Sequence, residues 1–160
     1  LPSGPRFFLD FAESSPALTR IGQPAPAFQA ITLEGQAISL EAARGQPLIL
    51  TFWATWCEPC QAEMPWLEAL HQEGLAVVGI NAGLETAEAA RVWLAAYGIG
   101  FPNILDDSDR RLEKLYQVRG LPSTFFIDQD GILRYIQQGV LTPDQLSAGL
   151  EAIRPRPSTE

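Results

Sequence analysis

The chain has two cysteines among its 160 residues, and they stand two residues apart in Thr55-Trp56-Cys57-Glu58-Pro59-Cys60. A thiol pair at this spacing can hold a metal, attach a haem, crosslink the chain or exchange disulfides. A structural zinc site takes four ligands, usually a second such pair or added histidines. The one histidine, His71, falls in the middle of an expected helix, so zinc is poorly provided for and no metal is expected. Covalent haem attachment needs CxxCH, and Gln61 stands where that histidine belongs. A peroxidatic centre needs a single activated thiol, whereas a second cysteine one helical turn away suits dithiol chemistry. A purely structural disulfide closing so small a loop removes little unfolded-chain entropy. Redox exchange by a Cys57–Cys60 disulfide, with no other cofactor, is the remaining use.

That chemistry needs elements that expose one thiol and shield the other. Leu48–Ala54 is a nearly continuous apolar run, as in a strand buried on both faces. It leads straight into the cysteines and a helix from about Glu58 to Glu73, with Met64, Leu67 and Leu70 at helical spacing and Gly74 closing it. Cys57 then sits where free N–H groups and the helix dipole favour a thiolate. Cys60 lies one turn further in, so Cys57 is the attacking thiol and Cys60 the resolving one. Pro65 removes one hydrogen bond and is expected to kink the helix. Glu63 reads as a solvated helix residue, and His71 as a surface one.

The other elements follow the same rules. Phe28–Leu33 and Gln36–Ser39 form a hairpin turning at Gly35. Leu75–Asn81 is a second buried strand, followed by a helix capped by Thr86 and ended by Gly98. A short strand near Asn103–Leu105 and a helix near Asp109–Tyr116 come next. Ser123–Asp128 and Ile132–Gln137 are joined by a turn at Gln129-Asp130-Gly131, and Thr142-Pro143 opens the last helix. Strands alternating with helices imply parallel pairing, and the late hairpin adds antiparallel strands. The fold class is α/β, a central mixed sheet flanked by helices, with an added N-terminal hairpin. Residues 1–20, with Phe7, Phe8 and Phe11, read as a lead-in or tether, 21–154 as the domain and 155–160 as a tail.

Composition narrows the partners. The formal charge of −8, with Lys114 and scattered arginines as the only cations, argues against a nucleic-acid surface. At 46% apolar residues the chain is ordinary for a globular protein. No apolar run approaches the roughly 18 residues of a membrane span.

The segment Phe52–Cys60 resembles the active-site segment of the thioredoxin superfamily, and Val118–Asp128, through Leu121-Pro122-Ser123-Thr124, resembles its cis-proline loop. The N-terminal hairpin and the stretch from Gly98 to Asp106 are similar to the membrane-anchored, extracytoplasmic branch containing ResA, TlpA and CcmG/DsbE. The Glu58-Pro59 dipeptide between the cysteines favours the ResA-like end. The resemblance spans residues 21–154. It implies a thioredoxin-like fold, a cis peptide at Pro122 beside the cysteines, and a substrate-binding rim of Trp56, Glu58, Pro59, Leu121 and Pro122. Leu121 would pair its backbone with an extended substrate segment.

One position departs from the superfamily pattern. Thioredoxins carry a buried Asp six residues before the first cysteine, and Thr51 stands there. ResA-like proteins use a glutamate after the second core strand. Glu85, reached with a one-residue shift, is the expected proton-transfer group, although an acid just before Thr86 also suits a helix N-terminus. Glu58 beside Cys57 disfavours the thiolate, whereas a strong oxidant needs a stabilised reduced form. The expectation is therefore a reductase.

By resemblance it is an extracytoplasmic enzyme, anchored by a segment outside this sequence. Its substrate would be oxidised apocytochrome c during cytochrome c maturation, and its electron donor a membrane protein of the CcdA or DsbD kind. A monomer is expected, with no nucleic-acid partner. The alternatives are a general extracytoplasmic reductase and, from another class, a copper-delivery module using the thiols as soft ligands.

Overall fold

A computed structural model describes residues 19–157. The expected lead-in, with Phe7, Phe8 and Phe11, lies outside the described residues except for Thr19 and Arg20. The elements run β1 (Gln29–Ile31), β2 (Ala37–Ser39), α1 (Leu40–Ala43), β3 (Leu48–Trp53), α2 (Glu58–Gln72) and β4 (Ala76–Asn81). They continue with α3 (Ala87–Ala96), β5 (Asn103–Leu105), α4 (Arg111–Leu115), β6 (Ser123–Ile127), β7 (Leu133–Gln138) and α5 (Pro143–Ala152). Among the described residues no helix is long and apolar enough to cross a membrane.

The central sheet has the order β5-β4-β3-β6-β7. β3 runs parallel to β4, and β4 to β5, while β6 and β7 are antiparallel additions. All six residues of β3 are buried, because side chains alternate between two covered faces. Leu48, Leu50 and Phe52 join one core cluster, with Leu40 of α1 and Leu112 of α4. Ile49 and Trp53 join the other, beneath α2, α3 and α5. A cluster of Phe52, Tyr116 and Phe125 fills the first core with edge-on or tilted rings. The Tyr116 hydroxyl donates to the Pro26 carbonyl at 2.7 Å.

The N-terminal hairpin forms its own two-stranded sheet and is shorter than its apolar pattern predicts. Thr32 bridges Ile104 at the edge of β5, and Leu33 donates its N–H to the Asn103 carbonyl at 2.8 Å. The one-turn helix α1, capped by the Ser39 hydroxyl, has too short a pattern to be read from sequence. Helix α2 continues through Pro65.

Candidate active site

The site begins where β3 leaves the sheet. Ala54, Thr55 and Trp56 form a strap between Trp53 and Cys57, which is the N-cap of α2. The Cys57 N–H donates to the Ala54 carbonyl at 3.2 Å, and the Cys57 sulfur accepts the Cys60 N–H at 3.3 Å. One of the first free N–H groups of the helix thus points at this sulfur, where it favours negative charge. The two sulfurs are bonded at 2.13 Å, with Cα atoms 5.3 Å apart. Both cysteines are buried, Cys57 at 5% exposure and Cys60 at 1%, so Cys57 is the less enclosed of the two. Gln61, the residue that rules out haem attachment, donates its side-chain amide to the Thr55 carbonyl at 3.0 Å and pins the strap to the helix.

On one side the strap meets the turn after β4. Glu85 accepts from the Thr55 N–H at 3.0 Å, from the Thr55 hydroxyl, and from the Asn81 amide at 2.8 Å. All these bonds go to Thr55 and Asn81, and none to a cysteine. Trp56, largely exposed, donates its indole N–H to the Gly83 carbonyl at 3.2 Å. Gly83 is tightly enclosed, because a Cβ there would lie 2.7 Å from the Ala54 Cβ and 2.9 Å from the Trp56 indole nitrogen.

On the other side lies the loop before β6. The Leu121–Pro122 peptide is cis, and the buried Pro122 accepts the Gly139 N–H at 2.7 Å. Leu121 packs against the core cluster that contains both cysteines. Its own N–H and C=O enter no turn or loop hydrogen bond among the described residues. Glu58 and Pro59 are exposed between the cysteines. The structure thus brings Cys57, Cys60, Trp56, Glu58, Pro59, Leu121 and Pro122 to one end of the sheet, with Glu85 behind the strap.

Glu63 corrects the sequence reading. It was expected in solvent and is 2% exposed, on α2 one turn after Cys60. One carboxyl oxygen accepts the Leu141 N–H at 2.5 Å, and the other has no partner among the described residues. Burial raises its pKa to about 7, and the Leu141 N–H lowers it only partly. A signal was present in the sequence: Glu63 is three residues from Cys60 and adjoins Met64, so it borders the buried stripe of α2. Thr51, in the superfamily's aspartate position, is buried in register with Thr124 of β6, whose hydroxyl also has no partner among the described residues. His71 is half-buried, with its ring edge-on to Phe101.

The arrangement is a disulfide at a helix N-terminus, with Cys57 less enclosed than Cys60 and a protonatable carboxyl one turn further along the helix. Comparison with known proteins agrees. Residues 21–136 match the model of the AhpC/TSA family. The thiol-disulfide oxidoreductase ResA of Geobacillus kaustophilus is 34% identical over 139 residues, covering 84% of this chain and 79% of that protein. Among solved structures, a thiol:disulfide interchange protein of the thioredoxin family from Chlorobium tepidum superposes with a TM-score of 0.72. It is 25% identical over 84% of this chain and 97% of that one. A secreted disulfide oxidoreductase of Mycobacterium tuberculosis, homologous to DsbE, gives a TM-score of 0.68 at 28% identity, over 78% and 95%. The chain therefore belongs to the AhpC/TSA family, with a thioredoxin-like fold, and is a thiol-disulfide oxidoreductase of the ResA/DsbE type acting on protein disulfides.

Proposed function

We propose that this oxidoreductase works as a reductase outside the cytoplasm. The observation that carries the reading is the bonding of Cys57 at the helix start to the more enclosed Cys60, one turn before a carboxyl poised to exchange a proton near neutral pH. The Cys57 thiolate attacks one sulfur of a substrate disulfide. A Cys57–substrate bond forms, the substrate bond breaks, and the departing sulfur leaves as a thiolate. Cys60 then loses its proton to the Glu63 carboxylate and attacks the Cys57 sulfur. The enzyme disulfide closes, the second substrate sulfur leaves and is protonated, and two electrons have passed to the substrate. Glu85, whose bonds all go to Thr55 and Asn81, braces the strap.

Glu58, exposed beside Cys57, favours the reducing direction because a carboxylate there disfavours the thiolate that a strong oxidant stabilises. The substrate class is a polypeptide disulfide presented as an extended segment along Leu121. By likeness to ResA, oxidised apocytochrome c fits this class, with re-reduction by a membrane dithiol donor of the CcdA or DsbD kind. The secreted mycobacterial relative supports an extracytoplasmic site of action.

The test is a Cys60→Ser variant expressed in the native host, where the mixed disulfide on Cys57 is trapped and its partner identified. Apocytochrome c is the expected capture, and a range of unrelated extracytoplasmic proteins would point to a general reductase. A reduction potential more oxidising than about −180 mV, the disulfide-isomerase region, would overturn the reducing direction.

A further inference from the structure

The turn after β4 carries a residue that the proposed reaction does not use. Leu84 lies at φ +59°, in the left-handed region that residues with a Cβ disfavour. Its side chain is 58% exposed and belongs to neither core cluster. Both of its neighbours are fastened to the strap before Cys57. Gly83 accepts the Trp56 indole N–H, and Glu85 accepts two donors from Thr55. The Gly83 N–H is itself held by the Asn81 side chain at 3.2 Å. The fold therefore fixes an apolar side chain in water, in an unfavourable backbone region, next in the chain to the Gly83 carbonyl that holds the exposed indole of Trp56. Backbone strain of this kind concentrates at functional sites.

We propose that Leu84 is a specificity-determining residue. A disulfide attacked by Cys57 must bring one sulfur into bonding contact, so the residues flanking that sulfur lie over the walls of the site. Leu84 and Trp56 form one such wall, an apolar seat for an apolar or aromatic side chain next to the substrate's cysteine. The occupant is the substrate polypeptide itself, because Trp56 directly precedes Cys57 and its indole is tied to Gly83, the neighbour of Leu84. This inference rests on the reaction proposed for Cys57.

The test is single-turnover reduction by the pre-reduced protein, comparing wild type, Leu84→Asn and a Val92→Thr control. Asn tolerates left-handed backbone, so Leu84→Asn keeps the fold and its Tm does not fall. Val92 is as exposed, at 61%, but lies on α3. The substrates are bis(2-hydroxyethyl) disulfide and two disulfide-closed peptides, one with Phe and one with Ser beside the cysteine. Leu84→Asn is expected to lower the second-order rate constant for the Phe peptide about fivefold, the loss of a part-exposed apolar contact. The other two substrates, and the control, should be unchanged. Equal rates for wild type and Leu84→Asn on the Phe peptide would overturn the proposal. So would an equal loss on all three substrates, which would make the turn a structural support. A wild-type dimer that Leu84→Asn dissolves would assign the seat to a second copy of the chain. If the wild type reduced none of the substrates, the Cys57 reading would fail and this one with it.

Discussion

The backbone N–H of Leu141 reaches the Glu63 carboxyl at 2.5 Å, tying the segment between β7 and α5 to the helix that carries both cysteines. This single bond leaves half of a buried carboxyl without a partner among the described residues, and the group holds its proton up to about pH 7. Cys60 therefore has, one turn away, an acid that changes state in the range where thiol exchange operates.

Resolution of the mixed disulfide should depend on that state. If the carboxylate of Glu63 takes the Cys60 proton, the resolving rate rises with pH through about 7. Glu63→Gln should lose that inflection and slow resolution by about tenfold or more near neutral pH, a typical general-base contribution being larger still. Stopped-flow measurement of mixed-disulfide decay against pH checks this. An unchanged profile would remove Glu63 from the reaction.

The same residue makes a prediction for stability, with opposite sign to an ordinary ion pair. Its pKa is raised on folding, so between about 4.5 and 7 the folded state binds more protons than the unfolded one. Stability contributed by Glu63 is thus lost as pH rises through that window. Glu63→Gln, which keeps an acceptor for Leu141, should be near neutral at pH 4 and stabilising above pH 7, by at most about 3 kcal/mol from the size of the shift. Urea denaturation of the oxidised protein at both pH values measures the difference.

Glu85→Gln tests the brace. Its carboxylate is the shared acceptor for Thr55 and Asn81, so the variant should lose about 1–2 kcal/mol of stability, as for a charge-assisted bond. The pH dependence of Cys60 should not move. A shifted thiol titration in Glu85→Gln would return the proton-transfer role to this residue.

Gly83→Ala should act on the strap from outside. The new methyl would lie against Ala54 and the Trp56 ring, and overpacking of this kind costs about 1–3 kcal/mol. Trp56 fluorescence should change along with Tm. Unaltered fluorescence would show that the indole is not seated on Gly83.

Asp128 and Arg134 give the ordinary sign. Burial raises the pKa of Asp128, but the Arg134 guanidinium at 2.7 Å and the N–H groups of Ile132 and Asp130 outweigh it and hold it below its usual value. Its contribution is therefore present above the usual carboxylate range and lost as pH falls through the lowered value. Arg134→Ala should destabilise by about 1–2 kcal/mol at pH 7, with the difference from wild type shrinking in acid. Thermal melts across pH 2–7 follow it.

What could be read from residues alone was whatever local pattern dictates. The apolar runs of β3 and β4, the caps at Thr86 and Thr142 and the placement of the cysteines at a strand-to-helix junction are short-range signals, and they agree with the structure. The charge of Glu63 points to solvent and outweighs its place beside the buried stripe of α2, and its one backbone donor, Leu141, is 78 positions away. The bonds of Glu85 were hidden for a related reason: Thr55 is 30 residues distant. The apolar pattern predicts too long a hairpin because Phe28 and Leu33 extend it, yet they serve the core rather than β1–β2 pairing.

The stretch from 22 to 33 has one more effect. Gly22, Gln23 and Ala25 exchange backbone bonds with Leu133 and Gly131 at the start of β7, while Thr32 and Leu33 cover β5 at the opposite margin. One short piece of chain thus hems both borders of the sheet, where bare strand edges would invite other chains to add on. A strand added to either border would pair one copy of the chain with another. Here the borders are partly closed to such pairing, while the Leu121 backbone enters no turn or loop hydrogen bond among the described residues.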